Sequence, residues 1–333
     1  RMPAQAVADR VLPGLGATLA ILVAIGGLAF NIGNVGGAGL GLQALFGLPT
    51  PLGAALSAAI AIGLFLFKEA GRAMDRFAQL LGGLMLLLTL YVVIASHPPL
   101  GDAVVRSIVP VRLDALSIVT IVGGTVGGYI TFAGAHRLLD GGIAGPESVG
   151  SATRSAVMGI GVASVMRVLI FLAALGIVTQ GLSLDPGNPA ASVFQQAAGV
   201  LGLRLFGAVM WAASITSIVG SAYTSVSFLR TLRPGWQALT APLIIGFIVI
   251  STAVFLSVGR PVTILIAVGA INAMILPLGL GAMLMATRDG ALMNGYRHPI
   301  GMFLAGASVA LVMTLLGGYT LITELPLLWG SGR

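Results

Sequence analysis

Apolar runs of membrane-crossing length alternate with short polar breaks along this chain. About 20 mostly apolar residues cover a bilayer as one helix. On that measure nine spanning helices are predicted, over residues 12–33 (extending as far as 46), 51–67, 74–95, 115–139, 154–179, 201–229, 237–257, 262–286 and 300–322. The breaks carry turn chemistry, as in "GLPTP", "KEAGR", "SHPPLGD", "GGIAGPES", "SLDPGNPA", "RTLRPG" and "VGRP". Most are short, so neighbouring helices are expected to pack antiparallel, with no soluble domain between them. The expected fold class is all-α, a polytopic helical bundle forming a single transmembrane domain over residues 1–333.

Composition agrees. The chain is 57% hydrophobic and 8% charged, against about 25% charged in soluble domains. A solubilising surface cannot be built from it, and the lipid bilayer is its first partner. The absence of cysteine excludes a disulfide framework. A net charge of +7 on such a chain reads as an orientation signal rather than as a nucleic-acid footprint. Threading the spans alternately puts eleven of the seventeen basic residues on the side of the N-terminal tail and five on the other, with Arg167 inside a span. That bias predicts a cytoplasmic start in a bacterial inner (cell) membrane. The opening "RMPAQAVADRVLPG" lacks a signal-peptide pattern, and Arg1 precedes Met2, so a fragment of a longer chain is expected.

Polar groups at membrane depth are costly and often functional. Asn31 and Asn34 share one helix face, either as hydrogen-bonding glue among small residues or as part of a translocation path. In "IVGGTVGGYITFAGAHRLLDGG", Gly123, Gly124, Gly127 and Gly128 surround Thr125 and Val126. Tight helix packing accounts for small residues four apart. An interrupted helix whose free carbonyls and amides line a midplane site accounts for all four. Tyr129 either faces that cavity or packs. His136 is a candidate for gating or proton transfer, and Arg137 and Asp140 are expected to pair. Arg167 must snorkel, pair or face a wet cavity. The hydroxyls of "WAASITSIVGSAYTSVS" are expected mostly to bond their own helix. Asn272, with Pro277 five residues on, marks a kink or an unwinding. All ten acids lie in loops or near span ends, so no span offers a buried carboxylate for a hard cation. No nucleophile elbow or phosphate cradle occurs, and neither an enzyme nor a cofactor is expected.

The runs "NIGNVGGAGLGLQALFGLP" and "FLFKEAGRAMDRF" resemble the third to fifth helices of the NRAMP (natural resistance-associated macrophage protein) family of divalent metal transporters. "GGTVGGYITFAGAH" resembles that family's broken sixth helix and "WAASITSIVGSAYT" its eighth. The chain looks closest to a divergent bacterial branch. The resemblance implies a LeuT-like architecture of two inverted five-helix repeats, with the first and sixth helices broken at a central site. Residues 1–112 would then be the remainder of the first repeat, 113–290 the second, and 291–333 an additional helix. The first two helices would be missing. In the family's acidic proton-coupling pair, the matching positions are Asn31 and Asn34. In its Met-Pro-His break they are Gly127, Gly128 and Tyr129. "DPGN" at Asp185–Asn188 spells the family's first-helix metal motif, yet it falls in a loop before Pro189 and reads as a turn.

The expected function is secondary transport of a metal ion by alternating access around a broken helix near 123–128, without the family's proton relay. The pathway would comprise Gly123 to Tyr129 with Asn31, Asn34 and Asn272. Loss of the thioether removes the preference for soft metals, and the metal-ligating residues stay unassigned. A carrier of a small organic anion on the same fold is the alternative, since half-helix amides suit anions. A membrane protein that binds without transporting is a third. The only partners expected are a small ion or molecule and the bilayer, with no nucleic acid and no obligate protein.

Overall fold

The computed structural model describes residues 2–126, 132–134, 138, 141–143, 145–293 and 295–323, and at 68–72, 75, 146 and 234 the backbone alone. Among these every regular element is helical. In chain order they are α1 (Ala4–Val11), α2 (Leu15–Phe46), α3 (Thr50–Leu66), α4 (Lys68–Ser96), α5 (Leu100–Ile108) and α6 (Ala115–Val126). Then follow α7 (Val149–Thr179), α8 (Pro189–Leu232), α9 (Thr240–Val258), α10 (Pro261–Ala286), α11 (Gly290–Met293) and α12 (Ile300–Thr323). Seven helices are long and apolar enough to cross a membrane, and α3 and α6 are shorter apolar helices. Among the described residues these nine overlap the nine expected spans, α6 covering the first part of 115–139, of which 132–134 and 138 are also described.

The turn chemistry places most boundaries as expected. Gly47 closes α2 in the left-handed region (φ 73°), donating its N–H to the Gln43 carbonyl at 2.8 Å. Pro51 follows in the first turn of α3, where its missing N–H costs nothing. His97 (φ 45°) with Pro98 and Pro99 ends α4. The first span takes the longer of its two expected extents and runs unbroken to Phe46. Two boundaries differ. "KEAGR" is the start of α4 rather than a break, because Lys, Glu, Ala and Arg are good helix formers and only Phe67 lies outside the two helices. Gly199 (φ 62°, ψ −156°) divides α8 into a short arm and a long span.

Helix α2 is the hub. It packs on α3, α8, α9 and α10, with its largest interface on α8. Small residues let those neighbours approach it closely. A side chain at Gly36 would meet the Phe255 ring at 2.7 Å, and one at Gly41 the Trp211 backbone nitrogen at 2.7 Å. Around them Val35, Ala38, Ile215, Ile218, Ile248 and Phe255 form the main apolar core. A second core joins α4, α7 and both parts of α8, where Phe194 of the short arm stacks on Phe206 of the long span with centroids 4.7 Å apart. Outward faces remain apolar, as on α7 (Val157, Ile160, Val168) and α12 (Leu311, Leu315, Ile322). They suit lipid rather than water.

Candidate functional site

A fully buried polar centre is built on α2. Asn31 is fully buried. Its Nδ2 donates to Ser251 Oγ on α9 at 3.1 Å, and its Oδ1 accepts from Ser221 Oγ on α8 at 2.9 Å. Ser251 in turn donates to the Phe247 carbonyl at 2.7 Å. One amide therefore ties three helices together and leaves both of its own polar ends matched. Such interhelical bonds are the glue of membrane bundles. Elsewhere on α8 the expected back-bonding holds: Thr216 donates to the Ala212 and Ala213 carbonyls, Thr224 to Gly220 and Ser225 to Ser221.

Asn272, also fully buried, links α10 to the hub. Its Nδ2 reaches the Gly26 carbonyl at 3.3 Å and the Val268 carbonyl at 3.2 Å. Its Oδ1 has no partner among the described residues, and neither does the buried Nδ2 of Asn34. Each is an amide end in a desolvated place, one an acceptor and one a donor. Unmatched polar groups at such depth carry a penalty that a ligand or a neighbouring backbone group can relieve. Of the kink or unwinding expected near Pro277, the unwinding does not occur. The residue sits inside a continuous α10, which is held against α2, α6 and α12 and tolerates proline as membrane helices do.

Helix α6 carries the first four of the expected pathway residues, and all four are helical. Gly123 is buried against α10, so close that a Cβ there would lie 1.7 Å from the Gly269 carbonyl oxygen and 2.6 Å from the Ala273 nitrogen. Gly269 reciprocates, with a would-be Cβ 2.7 Å from the Thr120 carbonyl. Thr120 Oγ1 also approaches the Ile266 carbonyl at 3.5 Å. Gly124, by contrast, is exposed, and a Cβ there would meet nothing within 4 Å among the described residues. Thr125 bonds back to the Ile121 carbonyl and Val126 is exposed. Gly127, Gly128, Tyr129 and His136 lie outside the described residues, as do Arg137 and Asp140.

Other expected features fall apart from this centre. Arg167 is exposed near the middle of α7, a helix that packs on α4 and α8. Asp185–Asn188 is a turn: Gly187 donates to Asp185 Oδ1 at 2.9 Å and Asn188 N–H to the Asp185 carbonyl at 3.2 Å. Asn188 then caps α8 through Ala191 N–H at 3.4 Å, and its Nδ2 donates to the Leu40 carbonyl of α2 at 3.2 Å. Ser251 and Ser57, which accepts from Trp211 Nε1 at 3.0 Å, were not among the sequence candidates. Their only signal is a hydroxyl inside an apolar run, alone at Ser57 and beside Thr252 at Ser251. Among the described residues no group of three or more His, Cys, Asp or Glu side chains could hold a metal.

A bundle of membrane-length helices around a neutral polar centre defines a multi-pass integral membrane protein. The family model described as natural resistance-associated macrophage protein-like matches residues 1–323. The chain belongs to that family, whose members are transporters rather than enzymes. It is 54% identical over 325 residues to the uncharacterised membrane protein YcsG of Bacillus subtilis, covering 98% of this chain and 80% of the relative. An uncharacterised membrane protein of Haemophilus influenzae is 51% identical over 320 residues, covering 96% and 81%. A crystal structure of a glutamate-to-alanine mutant of the Eremococcus coleocola manganese transporter shares the fold, with a TM-score of 0.70 and 19% identity over 99% of this chain and 76% of that one. The expected LeuT-like helical fold is thereby established.

Proposed function

We propose that this protein is a secondary transporter that moves a divalent metal ion across a bacterial cell membrane by alternating access. The moving element is the segment beginning at Gly123, and no titratable relay operates on α2. Family membership and the shared fold with a manganese transporter support the metal as cargo. The inverted-repeat division at 112/113, the cytoplasmic start and a pathway through Asn31, Asn34, Asn272 and residues 123–129 belong to the same reading.

The observation that carries the absence of a relay is Asn31. The resemblance assigns its position to one of the family's acids. Here a neutral amide fills that place, with one end on Ser221 and the other on Ser251. None of the three groups exchanges protons near neutral pH. A second reading, transport of a small organic anion, draws on Asn34. Its buried Nδ2 is a free donor among the described residues, and no carboxylate or imidazole cluster accompanies it there.

Proteoliposomes loaded with a divalent-ion dye and, separately, with a pH dye test both readings. Saturable manganese or magnesium entry with no change in luminal pH is expected. Metal entry accompanied by substrate-linked acidification would remove the claim about the relay. Indifference to every divalent ion, together with uptake of a small carboxylate, would replace the metal by the anion.

A further inference from the structure

Helix α5 has the strongest amphipathic pattern of the longer connecting segments, and the centre of the bundle does not use it. Projected at 100° per residue, Leu100, Val104, Ile108 and Val105 occupy one continuous arc, and Asp102, Arg106, Ala103 and Ser107 occupy the other. No residue of the helix is buried, and it packs substantially on no other described helix. Exposure of its apolar arc is high, from 55% at Val105 to 77% at Ile108. The apolar strip continues beyond the helix through Val111 and Leu113, which are 77% and 75% exposed.

The connections on either side fix where this face can lie. Only residues 97–99 separate α5 from the end of α4, and six residues separate it from α6. A chain reaches at most about 3.6 Å per residue, so α5 cannot leave the level at which α4 exits the bilayer. Near that exit Tyr91 and Ile94 of α4 are exposed as well. The strip is therefore tethered at the level where the exposed apolar surface of α4 ends. Its charges balance, Asp102 and Asp114 against Arg106 and Arg112, so nothing in it selects an acidic or a basic macromolecule.

We propose that α5 is a membrane-interface helix, lying in the plane of the bilayer with Leu100, Val104, Val105 and Ile108 inserted at the glycerol and acyl-chain boundary of phospholipids and Asp102 and Arg106 facing water. Because its charges balance, buried apolar area rather than attraction to headgroup charge holds it there. Through the 109–114 connection it also holds the outer end of α6, the helix that carries Gly123.

The chain has no cysteine, so single spin labels can be placed without background. Val104→Cys, Ile108→Cys, Asp102→Cys and Ser107→Cys are labelled with a nitroxide in the full chain, reconstituted in phosphatidylcholine vesicles. Collision with oxygen is then compared with collision with a water-soluble nickel chelate. The oxygen-to-nickel ratio at Val104 and Ile108 is expected to exceed that at Asp102 and Ser107 severalfold, and to stay so in high salt and after adding anionic phosphatidylglycerol. Equal ratios at all four positions would place the helix in water. Exclusion of both reagents at Val104 and Ile108 would mean that protein covers the face. A ratio that collapses in high salt would make the attachment electrostatic. Each of those three results overturns the proposal.

Discussion

Adjacent glycines on α6 are expected to respond in opposite ways to the same substitution. At Gly123 the added methyl would lie 1.7 Å from a carbonyl oxygen, where no real Cβ approaches within 3.0 Å. The obstacle is backbone on α10, not a side chain that can rotate away. Helix α6 must therefore back off by more than an ångström and loosen the contacts of Val119 and Val122 with Ala270, Ala273 and Leu276. Overpacking of this kind costs about 1–3 kcal/mol, and a rigid obstacle puts Gly123→Ala at the upper end, about 3 kcal/mol. Gly124→Ala meets nothing within 4 Å among the described residues. It gains the roughly 1 kcal/mol by which alanine exceeds glycine in a helix. Tryptophan-monitored thermal unfolding in detergent should show the first variant melting well below the parent and the second at or above it. Gly269→Ala repeats the first effect from the other side, since its methyl would lie 2.7 Å from the Thr120 carbonyl. The double variant should then lose less than the two single losses together, because helices once separated no longer clash. Parental melting of Gly123→Ala, or strict additivity in the cycle, would refute this account of the seam.

Three further outcomes are expected. Asn31→Ala removes two interhelical bonds, each about 0.6 kcal/mol on average in membrane bundles and at most about 1.7, and should lower stability by about 1–3 kcal/mol in denaturant titration. Asn188→Ala strips the cap of α8 and its ties to α2, with an expected loss of about 1–2 kcal/mol, visible as faster hydrogen exchange at Ala191 and Ser192. Asp114 caps α6 by accepting from Ser117 N–H at 2.7 Å. That backbone bond first, then the Ser117 hydroxyl and lastly Arg112, hold its carboxyl below the usual range against a slight opposing desolvation. Because the folded value is depressed, the stabilisation is complete above the ordinary value of about 3.9 and is lost as pH falls through the lower folded value. Melting followed from pH 6 to pH 2 should show that loss in the parent and a flatter profile in Asp114→Asn.

The spans were legible because apolar length is set by the bilayer, and one residue type in the wrong place hardly alters it. Boundaries were legible where backbone chemistry dictates them, as at Gly47 or Pro51, and not at "KEAGR", where charge mimics a break that helix propensity overrides. Asn31 was legible as a buried amide, but its partners were not. Which of many serines lies opposite depends on how α8 and α9 are rotated about their axes, and uniformly apolar helices carry no moment to report that rotation. Gly123 and Gly124 were read together as one feature. Only the position of α10 separates them, since a glycine required by a neighbour's backbone and an exposed glycine are identical in sequence.

That separation constrains how the proposed cycle can move α6. Backbones that touch at Gly123 and Gly269 cannot slide past each other without parting the helices. A change of access must then either carry α6 and α10 as one body or divide α6 beyond Gly123. Moving α10 would break the Asn272 bond to the Gly26 carbonyl and draw Leu265 away from Gly33, where a Cβ would already lie within 3.3 Å. Dividing α6 at Gly124 disturbs no packed neighbour among the described residues, since none would lie within 4 Å of a Cβ there. The second route breaks fewer of the described contacts, which favours a hinge at Gly124. Gly124→Ala should therefore slow metal flux in proteoliposomes while leaving the protein as stable as the parent or more so. Unchanged flux in Gly124→Ala would assign the motion to α6 and α10 together.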